Sequence, residues 1–135
     1  MRLHIDKAIY GGAGLGRVSD AGDALTGKTI FIPFTLPGET VELHITEDKR
    51  NYATGELDAV LEESLMRTSP ACPYFGSCGG CHYQHSVYLG QLEMKQSILG
   101  ETLKRARLNN IPDISVVAAE PWGYRNRIRL LVERQ

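Results

Sequence analysis

The 135-residue sequence predicts a mainly β N-terminal part, a small five-stranded barrel, followed by a small α+β segment. Three observations predict it. Residues 1–62 hold five short apolar runs parted by glycine, proline and charged turn signals. Helical periodicity begins only after His85. All three cysteines, Cys72, Cys78 and Cys81, fall within ten positions between those two parts.

Leu3, Ile5, Ala8 and Ile9 mark a first strand, interrupted by Gly11-Gly12-Ala13-Gly14-Leu15-Gly16. A second short strand over 16–19 leads to a turn at 20–23. Thr29-Ile30-Phe31-Ile32 is a compact apolar run stopped by Pro33, and Leu36-Pro37-Gly38-Glu39 is a turn signal. Val41, Leu43 and Ile45 alternate with Glu42 and His44, the period of a half-buried strand. The charged turn 47–51 precedes a last strand over about 52–61. Five such strands in so short a stretch fit a barrel better than an open sheet. Residues 63–71 read as a polar linker, and 72–135 as a cysteine loop, an amphipathic helix and the start of an α+β domain. In the helix, Tyr88, Leu92, Lys95, Leu99, Leu103 and Ala106 recur at spacings of three and four. Ser86 is the expected N-cap, and Lys104, Arg105 and Arg107 suit the negative end of the helix dipole. Strands are expected at 114–117 and 127–132, the second still running at Gln135, as in a sequence cut from something longer.

Residues 1–94 carry 7 Lys/Arg against 12 Asp/Glu, giving −5; residues 95–135 carry 8 against 4, giving +4. A domain-wide basic field is absent, so nucleic-acid contact has to come from local patches. No signal peptide opens the chain, and no apolar run approaches the ~18–20 residues of a membrane helix. The chain therefore reads as cytoplasmic, where cysteines are expected to ligate rather than pair. The glycine segment lacks the third glycine of a dinucleotide fingerprint and the Lys-Ser/Thr of a P-loop. It reads as a turn or bulge between strands.

Cys72-x5-Cys78-x2-Cys81 carries the strongest chemistry. Two thiolates separated by two residues grip one centre when a tight turn points both inward, and Gly79-Gly80 supply that turn. Zinc completed by His82 or His85 as a Cys3His site and an iron–sulfur cluster are both open on chemistry alone. Cys78-Gly-Gly-Cys81-His82 also matches a haem-attachment string, to which a third cysteine is superfluous.

Cys72-Pro-Tyr-Phe-Gly-Ser-Cys78-Gly-Gly-Cys81-His-Tyr-Gln-His85, the helix with Lys95-Gln96, and Pro121-Trp122-Gly123-Tyr124-Arg125-Asn126-Arg127 closely resemble the bacterial RNA (uracil-C5)-methyltransferases that carry a [4Fe–4S] cluster. Phe31-Ile32-Pro33, Pro37-Gly38-Glu39 and the Val41–Ile45 strand are similar to the OB-like TRAM barrel that precedes the cluster in those enzymes. The resemblance runs over essentially the whole chain. It implies transfer of a methyl group from S-adenosylmethionine to C5 of a uridine, with a cysteine thiolate adding to C6 and a carboxylate removing the C5 proton. In the family the catalytic groups, the cofactor loop and the fourth cluster cysteine lie downstream. No catalytic residue is therefore expected here, the chain alone is expected to be inactive, and Cys72, Cys78 and Cys81 form an incomplete set that binds its cluster poorly. A structural role for the cluster is expected, since methyl transfer calls for no electron.

The partner implied is RNA, with ribosomal (23S) RNA favoured over transfer RNA because a TRAM domain is present; no DNA and no membrane partner is expected. Candidate RNA-binding residues are Arg17, Lys49 and Arg50 on the barrel and Arg125, Arg127 and Arg129 alternating along the last strand, with Tyr10, Lys28 and Tyr52 as further barrel positions. Trp122 and Tyr124 are expected to pack, and His82 and His85 to serve helix entry or hydrogen bonding. The rivals are a stand-alone Cys3His zinc module that binds RNA without catalysis, and a structural zinc domain for protein contacts.

Overall fold

The computed structural model describes residues 1–20 and 22–127. Six strands form one curled sheet: β1 (Arg2–His4), β2 (Lys7–Ala8), β3 (Ala13–Arg17), β4 (Thr29–Pro33), β5 (Thr40–Asp48) and β6 (Tyr52–Glu62). The order is β1-β5-β6-β4-β3-β2. All pairings are antiparallel except β4 with β6. The barrel class expected from the sequence holds, with six segments in place of five. The extra one arises at Ile5-Asp6, where the first apolar run changes partners. Ile5 donates to the Glu39 carbonyl and accepts from Gly38, both at 2.8 Å, whereas Asp6 donates to Leu15 at 2.8 Å. One run thus supplies both edges of the sheet, and the curl follows from it.

The core is Leu3, Ile5, Val18, Ile30, Ile32, Val41, Leu43 and Ala53. Each fully buried aliphatic side chain there contributes ~1.5–3 kcal/mol relative to exposure. The glycine segment is only partly a turn. Gly11 and Gly12, at φ +99° and +94°, make the β2–β3 reversal. Gly14 and Gly16 lie inside β3 on its inward face, opposite Ile32 and Ile30. A Cβ on Gly14 would stand 2.1 Å from Thr35 Oγ1, and one on Gly16 would stand 2.3 Å from the His4 carbonyl. β3 is glycine-rich because neighbouring chain occupies the space of its side chains. The second strand therefore begins at Ala13 rather than Gly16.

Leu36-Pro37-Gly38-Glu39 forms the expected turn: Gly38 takes φ +85° and Glu39 donates to the Leu36 carbonyl at 3.3 Å. Glu39 is fully buried. Its carboxylate accepts from the Leu36 amide at 2.8 Å, from Arg67 Nη2 at 2.8 Å and from Arg67 Nε. Arg67 also donates to the Phe34 carbonyl at 3.0 Å. Thr68 donates to His85 at 3.0 Å and Val87 to Met66 at 2.8 Å, so segment 63–71 is tied to the barrel on one side and to the helix entry on the other.

Helix α1 spans Tyr88–Arg105. Its N-cap is Val87 without a side-chain cap, not Ser86, whose hydroxyl donates instead to the Val87 carbonyl at 3.2 Å. Only Gly90 and Met94 are buried, and the expected stripe stays open at Leu99, 46% exposed. Gly90 is buried because Met66 comes so close that a Cβ would stand 2.9 Å from its sulfur. Beyond α1, residues 114–117 form no strand. They run beside the helix, where Gln96 Nε2 donates to Ile114 at 2.5 Å and Ala119 to the Tyr88 hydroxyl at 3.1 Å, and among the described residues no strand pairs with them. The strand expected at 127–132 lies outside the described residues, apart from Arg127, which is in none.

Candidate nucleic-acid interface and cysteine loop

The period-two register of the sheet sets Lys7 opposite Leu15, Leu15 opposite Phe31 and Phe31 opposite Thr54. One step along, Arg17 faces Thr29 and Thr29 faces Tyr52. Both rows lie on the face away from the core, because the intervening residues Gly16, Ile30 and Ala53 point inward. Together with Ile9, Tyr10 and Asn51 they line a groove of about 550 Å³, closed on one side by Arg105 from the last turn of α1. Phe31 and Tyr52 meet edge to face at 5.7 Å on its floor. Lys7 Nζ lies 2.6 Å from Glu101 Oε2 and so fastens the helix end to the barrel. That hydrogen bond is the main cause holding the Glu101 carboxyl below its ordinary pKa. On the other side of Phe31 a second, more apolar depression runs past Ala13, Pro33, Thr46 and Leu57.

Of the candidate RNA-binding residues, Arg17 lines the groove. Lys49 and Arg50 are exposed in the β5–β6 turn, where Lys49 pairs with Glu47 at 2.6 Å. The hydrogen bond that Lys49 donates to Glu47 raises the lysine's pKa. Lys28 is paired with Asp48. Tyr10, 89% exposed, and Tyr52 both border the groove. Arg125 and Arg127 are exposed in irregular chain, with Arg125 5.8 Å over the Tyr124 ring, so no strand alternation brings them together. Arg129 lies outside the described residues. Trp122 and Tyr124 are 59% and 72% exposed, against the packing expected of them. Lys7, Phe31, Asn51 and Arg105 were not singled out from the sequence. The signal for Phe31 was its place between Ile30 and Ile32, which strand alternation turns to the opposite face. Arg105 carried no signal beyond its suitability for a helix C-terminus.

The cysteine loop is built on local turns. Phe75 donates to Cys72 at 3.1 Å and Cys78 to Tyr74 at 2.9 Å, while Gly76 reverses the chain at φ +94°. The Cys72 amide donates to Gln84 Oε1 at 3.2 Å. All three thiols are unpaired, Cys78 and Cys81 exposed and Cys72 half-buried. Three soft donors on one short loop fit a thiophilic centre in kind. In position they stay apart: among the described residues no three His, Cys, Asp or Glu side chains gather closely enough to hold a metal ion.

The loop docks on the barrel through aromatic groups. Phe75 packs on Phe34 at 5.3 Å and on His85 at 5.4 Å. His82 lies over Gly12, where a Cβ would stand 2.6 Å from the histidine's own. This contact, as well as the turn, explains a glycine there. Tyr83 donates its hydroxyl to Ile9 at 3.3 Å, and burial raises its pKa. His82 and Tyr83 thereby hold the turn that carries Tyr10.

His85 sits at the helix entry, one of the two roles expected of it; it is 2% exposed, and among the described residues neither ring nitrogen has a hydrogen-bond partner. Burial, reinforced by Arg67, pushes its pKa below 6.5; the Thr35 backbone and the Glu39 carboxylate only partly oppose this. The folded state thus keeps a neutral imidazole that the unfolded chain protonates near pH 6.5. Its stability is fully present above that pH and declines as the pH falls toward the folded-state pKa, by up to ~1.4 kcal/mol per pH unit. Urea midpoints between about pH 5 and 8 should show this slope in the native sequence and a smaller one in His85→Phe. An unchanged slope in the variant would assign the acid sensitivity elsewhere.

Residues 1–57 match the TRAM domain model. The chain is 45% identical over 105 residues, 77% of its length, to the 23S rRNA (uracil(1939)-C(5))-methyltransferase RlmD of Shewanella amazonensis. It is 38% identical over 127 residues to an RNA methyltransferase of Protochlamydia amoebophila and 33% over 135 residues to one of Aquifex aeolicus. It spans 24%, 28% and 30% of these three proteins respectively. The chain thus carries a TRAM domain over residues 1–57 and is homologous, over most of its length, to proteins named as RNA methyltransferases, of whose length it spans about a quarter.

Proposed function

We infer that the protein carrying this chain methylates C5 of a uridine in RNA, with 23S rRNA as substrate and the cytoplasm as its place of action, and that residues 1–127 are a substrate-recognition part. The observation that carries this reading is the 45% identity to a 23S rRNA uracil-C5 methyltransferase across barrel and beyond. The groove supports it: its aromatic floor and cationic rim have the makings of a single-strand RNA contact. S-adenosylmethionine would supply the methyl group. This chain's own residues would bind and orient RNA, and the chain alone would show no turnover.

Cys72, Cys78 and Cys81 would hold a [4Fe–4S] cluster together with a ligand from outside this chain. The cluster would tie the loop into one rigid unit. Through His82 on Gly12 and Tyr83 on Ile9, that unit would steady the barrel turn above the groove.

Two measurements test the reading on the intact protein. Methyl transfer from labelled S-adenosylmethionine to 23S rRNA is expected, and its absence from both ribosomal and transfer RNA would remove the enzyme assignment. Iron and sulfide near four per chain after anaerobic purification, depleted by Cys78→Ser, are expected. One tightly held zinc and no sulfide would put a Cys3His zinc site in place of the cluster.

A further inference from the structure

We propose that the groove between the barrel and the end of α1 holds one unpaired nucleotide of the RNA, its base against Tyr10 and the Phe31–Tyr52 pair and its flanking phosphates on Arg17 and Arg105. This rests on the RNA reading above and assigns it a site. Four features select the ligand. The groove's volume, about 550 Å³, is suited to a single nucleotide rather than a helix. Its floor is aromatic, and every nucleobase offers a face to stack. Its rim carries Lys7, Arg17 and Arg105, none of its lining residues is a carboxylate, and Glu101 beside it is already engaged by Lys7 at 2.6 Å. Asn51 adds an amide able to both donate and accept toward a base edge. An acidic peptide would satisfy the cations but leave the aromatic floor unused. Paired RNA would keep its bases stacked and out of the groove.

The site also requires two parts of the chain at once. Lys7 and Arg17 come from β2 and β3, whereas Arg105 arrives on a helix held in place by the Lys7–Glu101 pair. Arg105 itself stays 72% exposed and lies 3.4 Å from Glu101, a loose contact that a phosphate can replace.

Fluorescence anisotropy on the intact protein tests the site, with a labelled unstructured oligouridylate and an RNA duplex of equal length as probes. Tyr10→Ala is expected to weaken oligouridylate binding about tenfold and to leave duplex binding unchanged. Arg105→Ala is expected to lower the slope of log affinity against log salt by about 0.7, one phosphate's worth. Both side chains are exposed, so folding is preserved, which thermal melting verifies. Native affinity in both variants would overturn the site while leaving the RNA reading intact. So would an equal loss on both probes, or displacement of oligouridylate by polyglutamate at matched charge. If the unaltered protein bound neither probe, the RNA reading itself would fall.

Discussion

Arg67→Ala is expected to cost about 3–5 kcal/mol of folding stability, because it strands the Glu39 carboxylate inside the protein without its counter-charge. Glu39 is fully buried and Arg67 is 16% exposed at its side chain, so water cannot substitute for the lost guanidinium. The carboxylate would keep only the Leu36 amide at 2.8 Å and a long contact from Ser64 at 3.4 Å. Arg67 also ties Phe34 through its carbonyl, and Phe34 seats Phe75, so the variant should loosen the cysteine loop as well. Urea denaturation followed by circular dichroism measures the loss. The companion variant Glu39→Gln leaves an amide that still accepts from Leu36, and it should cost less than Arg67→Ala. A loss under ~1 kcal/mol for Arg67→Ala would mean that the pair is solvated and that the linker docks by other contacts.

Gly16→Ala is the second large effect expected, at about 3 kcal/mol, the upper end of what overpacking usually costs. The added methyl would stand 2.3 Å from the His4 carbonyl and 2.9 Å from two Leu3 side-chain carbons. Leu3 can turn away, but the backbone carbonyl of the last residue of β1 cannot move without displacing a sheet edge. Gly79→Ala is the matched control: nothing lies within 4 Å of its Cβ position, and a change within about ±0.5 kcal/mol is expected. Equal thermal melting of Gly16→Ala and the native sequence would show that β1 and β3 part easily and that the barrel is open at that edge.

The fold was legible wherever one period dominated. Val41, Leu43 and Ile45 mark β5, and the run Thr29–Ile32 marks β4, which continues one residue further, through Pro33. β3 was misplaced because glycine has no hydropathy signal; its two inward glycines are explained by Thr35, Ile5, Leu3 and the His4 carbonyl, all distant in sequence or folded back. The break at Ile5-Asp6 was hidden because both halves of the run are apolar, and only pairing partners distinguish them. The helix was readable, but its buried residues were not. Periodicity marks a face able to be covered, whereas Ser86 and Met66, outside the helix, decide that Gly90 is reached. Among the site residues, Arg17 and Tyr52 were seen as individual surface candidates. Their meeting with Lys7 and Arg105 depends on register and on one ion pair, neither of which one sequence prints.

The partner exchange at Ile5-Asp6 has a consequence for the order in which the chain can assemble. Arg2 pairs with Glu42 and Lys7 with Leu15, so the first eight residues join a contact some forty residues away to one nearby. β2 can zip onto β3 as a local hairpin, but β1 has nothing to join until β5 has formed, and β5 leans along its length on β6, which ends at Glu62. Of the six strands, β1 is therefore the one whose seating waits on the most distant partner. Until β5 is available, β1 lacks its pairing partner, and closure carries the loop-entropy cost that slows folding in β proteins rich in distant pairings.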